Sequence, residues 1–377
     1  MKLLKGSLYR FLLIGILTLG LSFSLSGARE ANAKLSKVRI GLAPYTMFQI
    51  WIVAHELGID KEFGLDFEVK EFTGTLPGTQ VLIRDDVDIT VNCIAEHIAV
   101  IGKAPQVKNF SSLGFFKGFI YVGRKAEWKP FDDLVEGMGL EKAKESQLKQ
   151  FRGKEFCIIP QRKPLVADTI AQVGLTLDDV KLLNFADDQK AAMAFMRGAG
   201  DIYMGSLPQE RRLLKMSDQY VNLGGTEILG PAGLWYDTMV STEKFMKENR
   251  ETALRTIAAL YRTIRLFDEQ PEKVGKIGAA AISRMTGGEF SVEEYITMQT
   301  VYDDFLSIEE LLAGMYNPYS PLYWKNPVEY YIKMAVEQGD LDEVVPAEDY
   351  YSQSEELFWE LLKRKDLLQF IYAPFPS

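Results

Sequence analysis

The sequence predicts an α/β fold with two similar lobes and a mostly helical C-terminal region. Short apolar strands alternate with helices from residue 38 to about residue 205, and strands separated by such helices indicate βαβ units and parallel sheets. Residues 86–92 and 200–205 resemble each other, since each segment follows a helix and leads into a strand. This similarity suggests a duplicated architecture. After Ser241 the apolar residues recur at helical spacing, which predicts helices.

The first lobe is predicted from apolar runs separated by turn residues. Gly58 is expected to end the first helix, because glycine readily adopts the left-handed conformation found there. Residues 74–77 contain glycine and proline and break the second strand. The predicted strands are 38–43, 66–72, 87–92, 107–113 and 119–124, and the predicted helices are 48–57, a segment after residue 77, and 95–101.

The second lobe repeats this alternation after a charged, helix-prone stretch at residues 126–153. We interpret that stretch either as a surface insertion or as a helical segment at the lobe junction. The predicted strands beyond it are 154–160, 180–185 and 201–205, and the predicted helices are 165–173 and 188–197. The C-terminal region is predicted to form helices over 244–270, 271–287, 292–312, 327–338 and 354–365.

The N-terminus has the layout of a secretory signal peptide. Lys2, Lys5 and Arg10 precede an apolar run at residues 11–25, which is shorter than the ~20 residues of a membrane-spanning helix. Small residues then offer cleavage near Ala28 or Ala33. We therefore predict that residues 1–33 are a signal peptide and that the protein is periplasmic. An uncleaved N-terminal anchor is the alternative.

Composition excludes several classes of function. The net charge is −9, and an acidic chain without basic runs is a poor partner for nucleic acids or anionic membranes. No later segment is long and apolar enough to predict membrane insertion. Cys93 and Cys157 are predicted to be separate buried thiols, with a disulfide as the alternative. Since there are only two histidines and no C-x-x-C motif, we predict no Cys/His metal site. We also predict no cofactor and a monomer.

Candidate ligand contacts follow the predicted strands, because ligands of open α/β sheets lie at the carboxyl ends of strands. The segment after the first strand supplies Tyr45, Met47, Phe48 and Trp51. Aromatic side chains of this kind enclose organic ligands and offer polar tips for hydrogen bonds. The alternative is that Phe48 and Trp51 are core residues of a helix.

Polar candidates follow the second and third strands of the first lobe. Thr75 ends the second strand, and Asn92, Cys93 and Glu96 follow the third. Thr75 and Asn92 are also residue types that cap helices, which is the alternative reading of both. Ser206 is a further candidate at the end of a strand of the second lobe, and Trp235 and Tyr236 are candidates near the hinge.

One basic residue is predicted to meet the ligand. Gln161 and Arg162 precede a helix that begins near Pro164, and a helix N-terminus beside a guanidinium suits a carboxylate, sulfonate or phosphate. The alternative is a solvated basic turn. By contrast, Asp85, Asp86 and Asp88 read as a turn between a helix and a strand, not as a metal cluster.

Several segments together resemble the periplasmic binding proteins for nitrate, sulfonates, taurine and thiamine precursors. They are VRIGLAPYTMFQIWIVAHELGIDKEFGLDFEVKEF (38–72), DDVDITVNCIAEHIAVIGKAP (85–105), FRGKEFCIIP (151–160) and residues 241–274. The resemblance implies a type II periplasmic-binding-protein fold, with residues 34–122 and a return segment 236–377 in lobe one and residues 123–235 in lobe two.

The same resemblance implies a solute-binding protein of an ABC importer, with a permease and its ATPase as partners. The expected ligand is a small organic molecule in the interlobe cleft, either an anion (a sulfonate or carboxylate) or a heterocycle. Two alternatives stay open. One is a same-fold enzyme of thiamine-pyrimidine synthesis, although the cysteine-rich motif of that family is absent. The other is a periplasmic ligand-sensing protein that acts through a partner.

Overall fold

The computed structural model describes residues 35–205 and 207–375. The predicted signal peptide, the charged or apolar features at residues 1–33, and the candidate Ser206 lie outside the described residues. The strands are β1 (Ser36–Leu42), β2 (Leu65–Glu71), β3 (Ile89–Cys93), β4 (Val107–Phe116), β5 (Val122–Arg124), β6 (Glu155–Ile158), β7 (Lys181–Asn184), β8 (Ile202–Tyr203), β9 (Tyr220–Asn222), β10 (Trp235–Thr242) and β11 (Asp303–Phe305).

Helices connect these strands and form the C-terminal region. They are α1 (Ile50–Glu56), α2 (Ile59–Glu62), α3 (Thr75–Ile83), α4 (Ile94–Ile101), α5 (Phe131–Met138), α6 (Leu140–Lys149), α7 (Lys163–Ala171), α8 (Asp188–Met196), α9 (Leu207–Leu214), α10 (Glu243–Glu248), α11 (Arg250–Glu269), α12 (Pro271–Thr286), α13 (Val292–Thr297), α14 (Ile308–Glu310), α15 (Lys325–Glu337), α16 (Glu348–Leu361) and α17 (Lys365–Tyr372). Short 3-10 turns include Met47–Gln49 and Pro160–Arg162, and π-helical turns cover Met298–Tyr302 and Leu311–Met315.

The strands form two sheets, and the sheets share one topology. The order is β11-β4-β10-β3-β1-β2 in the lobe-one sheet and β7-β6-β8-β5-β9 in the lobe-two sheet. In each sheet the first strand of the lobe pairs in parallel with the next two. The third of these parallel strands then pairs antiparallel with a strand that follows a crossing between the lobes. In lobe one β3 pairs with β10, and in lobe two β8 pairs with β5. The two-lobed α/β fold predicted from the sequence is therefore confirmed.

The repeated sequence pattern has an equivalent hydrogen bond in each lobe. In lobe one the Asp88 carboxylate accepts from the backbone N–H of Arg39 at 2.8 Å. In lobe two the Asp201 carboxylate accepts from the backbone N–H of Glu155, also at 2.8 Å. Each aspartate precedes the third strand of its lobe and bonds to a backbone N–H of the neighbouring strand, β1 or β6. The predicted internal similarity thus corresponds to a shared structural device.

The chain passes twice between the lobes, once from β4 to β5 and once from β9 to β10. The two connections bond to each other, since Tyr121 N–H donates to Gly224 O at 2.9 Å and Leu223 N–H donates to Tyr121 O at 2.8 Å. Such a pair of adjacent crossings is the place where a hinge motion would be taken up. The lobe boundaries predicted after residues 122 and 235 fall beside these connections.

Two predicted regions differ in detail from the structure. A single helix was expected over 292–312, but β11 interrupts it and pairs antiparallel with the end of β4, Asp303 opposite Phe116. Pairing with an open sheet edge is a long-range effect that helical spacing cannot reveal.

Residues 126–153 form α5 and α6, and Phe151 at their end is fully buried against Tyr121 and Phe156. The segment is therefore helical and mostly at the surface, and it is anchored to the lobe-two core by a few buried residues.

The cysteines and the aspartate-rich turn agree with prediction. Cys93 and Cys157 are both free and buried, and they belong to different sheets. Asp85 adopts a left-handed backbone conformation with φ of 62°, as expected for a residue in a tight turn. Within the described residues no helix has the length and apolarity needed to cross a membrane.

Candidate ligand-binding cleft

A cavity of about 30 Å³ lies between the two lobes, at the carboxyl ends of β1, β3 and β6. Its walls come from both lobes and from the first connection between them. The lining residues are Tyr45, Thr46, Phe48, Thr75, Cys93, Phe116, Phe119, Ile159, Gln161, Arg162, Leu207, Pro208, Trp235, Asp237 and Asp303. This volume accommodates only a few atoms, so an organic ligand would require the lobes to move apart or side chains to shift.

The segment after β1 forms one wall. Tyr45 is half-buried and packs edge-on against Phe48, with ring centroids 5.8 Å apart. The Gln49 side-chain amide donates to the Tyr45 carbonyl at 3.0 Å and holds the loop in place. Met47 and Trp51, also predicted to contact ligand, are fully buried elsewhere. They lie four residues apart and so share a helix face, and Trp51 packs against Phe67 in the core.

Strand alternation decides which predicted residues face the cavity. Successive side chains of a strand point to opposite faces. On β10, Trp235 and Asp237 line the cavity, whereas the Tyr236 hydroxyl donates to the Trp324 carbonyl on the other face at 3.4 Å. On β3, Cys93 lines the cavity, and the neighbouring Asn92 amide donates to Thr79 at 2.9 Å. The structure therefore places Asn92 and Tyr236 in structural roles.

Arg162 is a buried residue with 6% of its surface exposed, and not part of a solvated turn. Its guanidinium lies 4.7 Å from the ring centroid of Phe119 and 4.9 Å from that of Trp235, which is favourable cation–π geometry. The closest approach to the Asp188 carboxylate is 3.9 Å, an ion pair too long for a hydrogen bond. Its Nε has no hydrogen-bond partner among the described residues.

Five carboxylates are buried at or next to this cavity. Asp237 and Asp303 line it, Asp188 is paired with Arg162, and Glu96 accepts from the hydroxyl of the cavity residue Thr75. Glu210 accepts from the backbone N–H groups of Ile120 and Gly205 at 3.3 Å each. Each of the five is at most 8% exposed. A single guanidinium therefore faces a surplus of acidic groups, which does not favour the anionic ligand expected from the sequence.

Several of these carboxylate oxygens are unpaired. Among residues 35–205 and 207–375, both oxygens of Asp188 and Asp303 and one oxygen each of Glu96 and Glu210 have no hydrogen bond of normal length. The Tyr45 hydroxyl near Asp188 and the Thr46 hydroxyl near Asp303 are close enough only to lower the pKa of each acid. Asp237 accepts from the Trp235 indole N–H at 3.1 Å. Buried polar atoms are nearly always paired in native proteins. Unpaired atoms around a cavity therefore indicate groups that bind something else.

Burial changes the ionisation of these acids, because a carboxylate loses hydration in the protein interior. Burial raises the pKa of Glu96 to about 7, against the opposing effects of the Thr75 hydroxyl and Arg162. Burial also raises the pKa of Asp237 to about 7. The pKa values of Asp188, Glu210 and Asp303 are raised by burial too, and the Asp237 charge adds to the rise at Asp303.

Solved structures similar to this chain include several periplasmic binding proteins. The nitrate-binding protein NrtA from Synechocystis PCC 6803 superimposes with a TM-score of 0.64 over 92% of this chain and 93% of that one, at 11% identity. The alkanesulfonate-binding protein SsuA from Xanthomonas axonopodis pv. citri, bound to MOPS, gives 0.63 over 85% and 99%, at 14% identity. The chain has the periplasmic-binding-protein fold. The desulfurization enzyme DSZB shares this fold, with a TM-score of 0.55 over 87% and 99% and 12% identity.

Sequence comparison agrees with the fold. Residues 136–274 match the family described as NMT1/THI5 like, which confirms the resemblance predicted from the sequence. The chain is also 24% identical over 265 residues to a Bacillus subtilis (strain 168) protein named "Putative binding protein YtlA". That match covers 67% of this chain and 73% of the relative.

The sequence analysis did not predict most of the five carboxylates at this cavity. Asp237 was detectable in principle, because it lies two residues beyond the candidate Trp235 on the same strand. Asp303 was not, because its segment was predicted to be helical. Asp188 and Glu210 lie on α8 and α9, and nothing in the local pattern shows that they reach the cavity. Of the five, only Glu96 was noted among the residues that follow β3.

A possible cation site elsewhere is already filled by a side chain. The ligand atoms of His55, Asp60 and Asp66 all lie within 4.8 Å of one another in lobe one. However, the Lys61 ammonium bonds to Asp66 and lies 3.4 Å from the Asp60 carboxylate. This ammonium provides the positive charge that a metal would supply. The three residues therefore form an ion-pair cluster around the buried Asp60, in which His55 is exposed as expected.

Proposed function

We propose that this chain is an extracytoplasmic solute-binding protein of an ABC importer that holds a small organic ligand between its lobes. The observation that carries the proposal is the enclosed cavity at the carboxyl ends of strands of both lobes, with unpaired buried polar groups around it. Ligands of α/β proteins bind at this end of the strands. The predicted contacts Tyr45, Phe48, Thr75, Cys93, Gln161, Arg162 and Trp235 all line this cavity.

Contacts between the lobes support closure around a ligand. On one side, Lys215 of lobe two pairs with Glu294 at 2.6 Å, and Arg211 lies 4.2 Å from the ring centroid of Tyr302. On another side, the Tyr330 hydroxyl donates to Asp168 of lobe two at 2.6 Å. These contacts join surface groups that would separate if the lobes opened. Together with the paired connections they fit hinge closure.

The partners and the location of the protein are proposed from its similarity to NrtA and SsuA, which are named as periplasmic binding proteins. We propose that the mature chain is periplasmic and monomeric and delivers its ligand to a membrane permease driven by an ATPase. The ligand classes named for these relatives are nitrate and sulfonates. The acidic cavity of this chain argues that its own ligand differs from theirs.

The enzyme alternative receives little support from the cavity. Cys93 is the thiol that lines the cavity, and it would be the candidate nucleophile of an enzyme. Burial raises the pKa of this thiol well above the usual value. A thiol of this kind is a poor nucleophile, since the reactive form is the thiolate. His97 is buried, bonds to the Val107 carbonyl, and has a pKa lowered to about 4 by burial. It therefore serves the core of lobe one.

A thermal-shift screen of the mature protein tests this proposal. A bound solute at 100-fold excess over Kd stabilises the folded state by about 2.7 kcal/mol, so a true ligand should raise the melting temperature clearly. Small-angle scattering should then show a smaller radius of gyration with that ligand. Gln161→Ala should weaken binding, whereas Lys181→Ala should not, because Lys181 lies outside the cavity lining and pairs at the surface with Glu155 of the same lobe. If amines, sulfonates, carboxylates and heterocycles all leave the melting temperature unchanged, the proposal is wrong.

A further inference from the structure

The strongest unexplained feature of the cleft is a pair of acids that no cation in the described lobe-one lining balances. Asp237 and Asp303 both line the cavity. Asp303 is only 2% exposed and has no hydrogen bond of normal length among the described residues, although the Thr46 hydroxyl lies close enough to lower its pKa. They come from different strands, β10 and β11, which flank β4 in the lobe-one sheet. Sheet geometry therefore brings two acids to one small space.

Arg162 is the one cation among the described residues that line the cavity, and several acids share it. It stacks on Phe119 and Trp235 and lies 3.9 Å from Asp188, and its charge also lowers the pKa of Asp237. One guanidinium does not balance three acids. Glu96 and Glu210 add further acid, bonded to Thr75 and to backbone N–H groups. The remaining polar lining residues bring no positive charge; they are Tyr45, Thr46, Cys93 and Gln161.

Resting on the proposed function, we infer that the ligand carries a positively charged nitrogen group with N–H donors, such as an ammonium or amidinium, which Asp237 and Asp303 bind. An N–H donor would satisfy the carboxylate oxygens that the protein leaves unpaired. Its charge would also favour the ionised form of the two acids, which burial otherwise disfavours. The rings of Tyr45, Phe48 and Phe116 form an adjoining apolar wall of the same cavity, which suits the carbon skeleton of an organic amine.

Small matched ions test this inference without knowledge of the natural ligand. Methylammonium and methanesulfonate differ in charge, are each small enough for a cavity of this kind, and are used as separate probes in melting-temperature titrations. We expect methylammonium to stabilise the protein beyond a salt control, and methanesulfonate and nitrate to have no such effect. Asp303→Asn should abolish the methylammonium shift. Asp304→Asn is the matched control, because that neighbour is exposed and pairs with Lys117.

The pH dependence of methylammonium binding gives a second readout. Protons compete with a cation for the same carboxylates, so affinity should rise with pH and level off above the carboxylate pKa values. Displacement of one proton gives a rise of about tenfold per pH unit below the pKa. The groups that face this competition are Glu96 on α4, Asp188 on α8, Glu210 on α9, Asp237 on β10, Asp303 on β11 and Arg162 before α7. Binding of an anion to Arg162 would show the opposite slope.

Three results overturn the inference. One is stabilisation by methanesulfonate or nitrate that Arg162→Ala removes. Another is a methylammonium shift that is absent, or that survives in Asp303→Asn. The third is an affinity that falls as pH rises. An anionic solute found in the screen of the whole mature protein would refute the cationic ligand and leave the transport function standing, whereas failure of every solute class would refute the transport function itself.

Discussion

The two lobes use the same strand order but present different chemistry to the cleft. After β1, lobe one presents Tyr45, Thr46 and Phe48, which are uncharged. At the equivalent position after β6, lobe two presents Gln161 and Arg162. The equivalent aspartates Asp88 and Asp201 make the same backbone hydrogen bond in both lobes. Topology and its supporting contacts are thus repeated, while the side chains at the ends of the strands are free to differ.

The five buried acids at the cavity come from both lobes, whereas the arginine comes from lobe two alone. Glu96, Asp237 and Asp303 belong to lobe one, whereas Asp188, Glu210 and Arg162 belong to lobe two. Lobe two therefore carries a cation beside its acids, whereas the described cavity lining from lobe one carries none. If the ligand is a cation, as we propose, the acids of lobe one are the groups that meet its charge. The following predictions test the comparison, from the largest expected effect to the smallest.

Substitutions at Trp51 and Tyr45 distinguish a core residue from a cleft residue within one segment of lobe one. Trp51→Ala should lower the free energy of unfolding by about 3–5 kcal/mol, because it removes a fully buried indole packed on Phe67. Tyr45→Ala should leave the stability of the free protein nearly unchanged, because this ring is half-buried at the cavity, but it should remove most of the ligand-induced shift. Urea denaturation with and without ligand measures both. Unfolding of Tyr45→Ala with intact binding would make Tyr45 a structural residue.

Arg162 is expected to matter for stability in lobe two as well as for the cleft. Arg162→Ala should cost roughly 2–4 kcal/mol of unfolding free energy, because it removes two ring contacts and leaves Asp188 buried without its cation. Arg162→Lys should recover only part of the loss, since an ammonium lacks the planar guanidinium. Lys163→Ala is the matched control, with a side chain that pairs at the surface with Asp340. Equal stability of the two alanine variants would contradict the buried ion pair.

The acids of lobe one should make the ligand-free protein less stable as pH rises. Glu96 and Asp237 have folded-state pKa values of about 7, above the value near 4 expected when unfolded. Between these limits the folded state holds more protons, so the free energy of unfolding falls from about pH 4 to about pH 7. Asp237→Asn should flatten this decline by roughly 1–3 kcal/mol. Chemical denaturation at several pH values between 5 and 8 measures it.

His97, in the same lobe, should make the free energy of unfolding change with pH in the opposite direction. Its folded-state pKa of about 4 lies below the unfolded value of about 6.5, so its contribution is complete above about pH 6.5 and is lost as pH falls from there to about 4. His97→Gln should therefore remove a rise of stability with pH over this range, whereas Asp237→Asn removes a fall over nearly the same range. A wild-type profile that rises between pH 5 and 7 and is unaffected by Asp237→Asn would contradict a buried, protonated Asp237.

How far the sequence could predict the site depends on the range of the interactions. Strand and helix positions near Tyr45, Thr75, Cys93 and Gln161 follow from local patterns, and these residues do reach the cavity. Asn92 and Tyr236 were misplaced by one position of a strand, which reverses the face of the side chain. Asp303 depends on the pairing of β11 with β4. That pairing joins residues far apart in sequence, and no local periodicity encodes it.

The contacts between the lobes should have the smallest effect on folding and a measurable effect on ligand release. Tyr330→Phe removes a hydrogen bond of 2.6 Å to Asp168 and should weaken the closed form by about 1 kcal/mol, or roughly fivefold in its population. Lys215→Ala removes an ion pair in which the Lys215 side chain is 50% exposed, so its effect should be less than about 1 kcal/mol. Stopped-flow dissociation should therefore be faster in Tyr330→Phe than in Lys215→Ala. Since neither side chain lines the cavity, a variant that slows association and leaves dissociation unchanged would show that these contacts do not hold the lobes closed around the ligand.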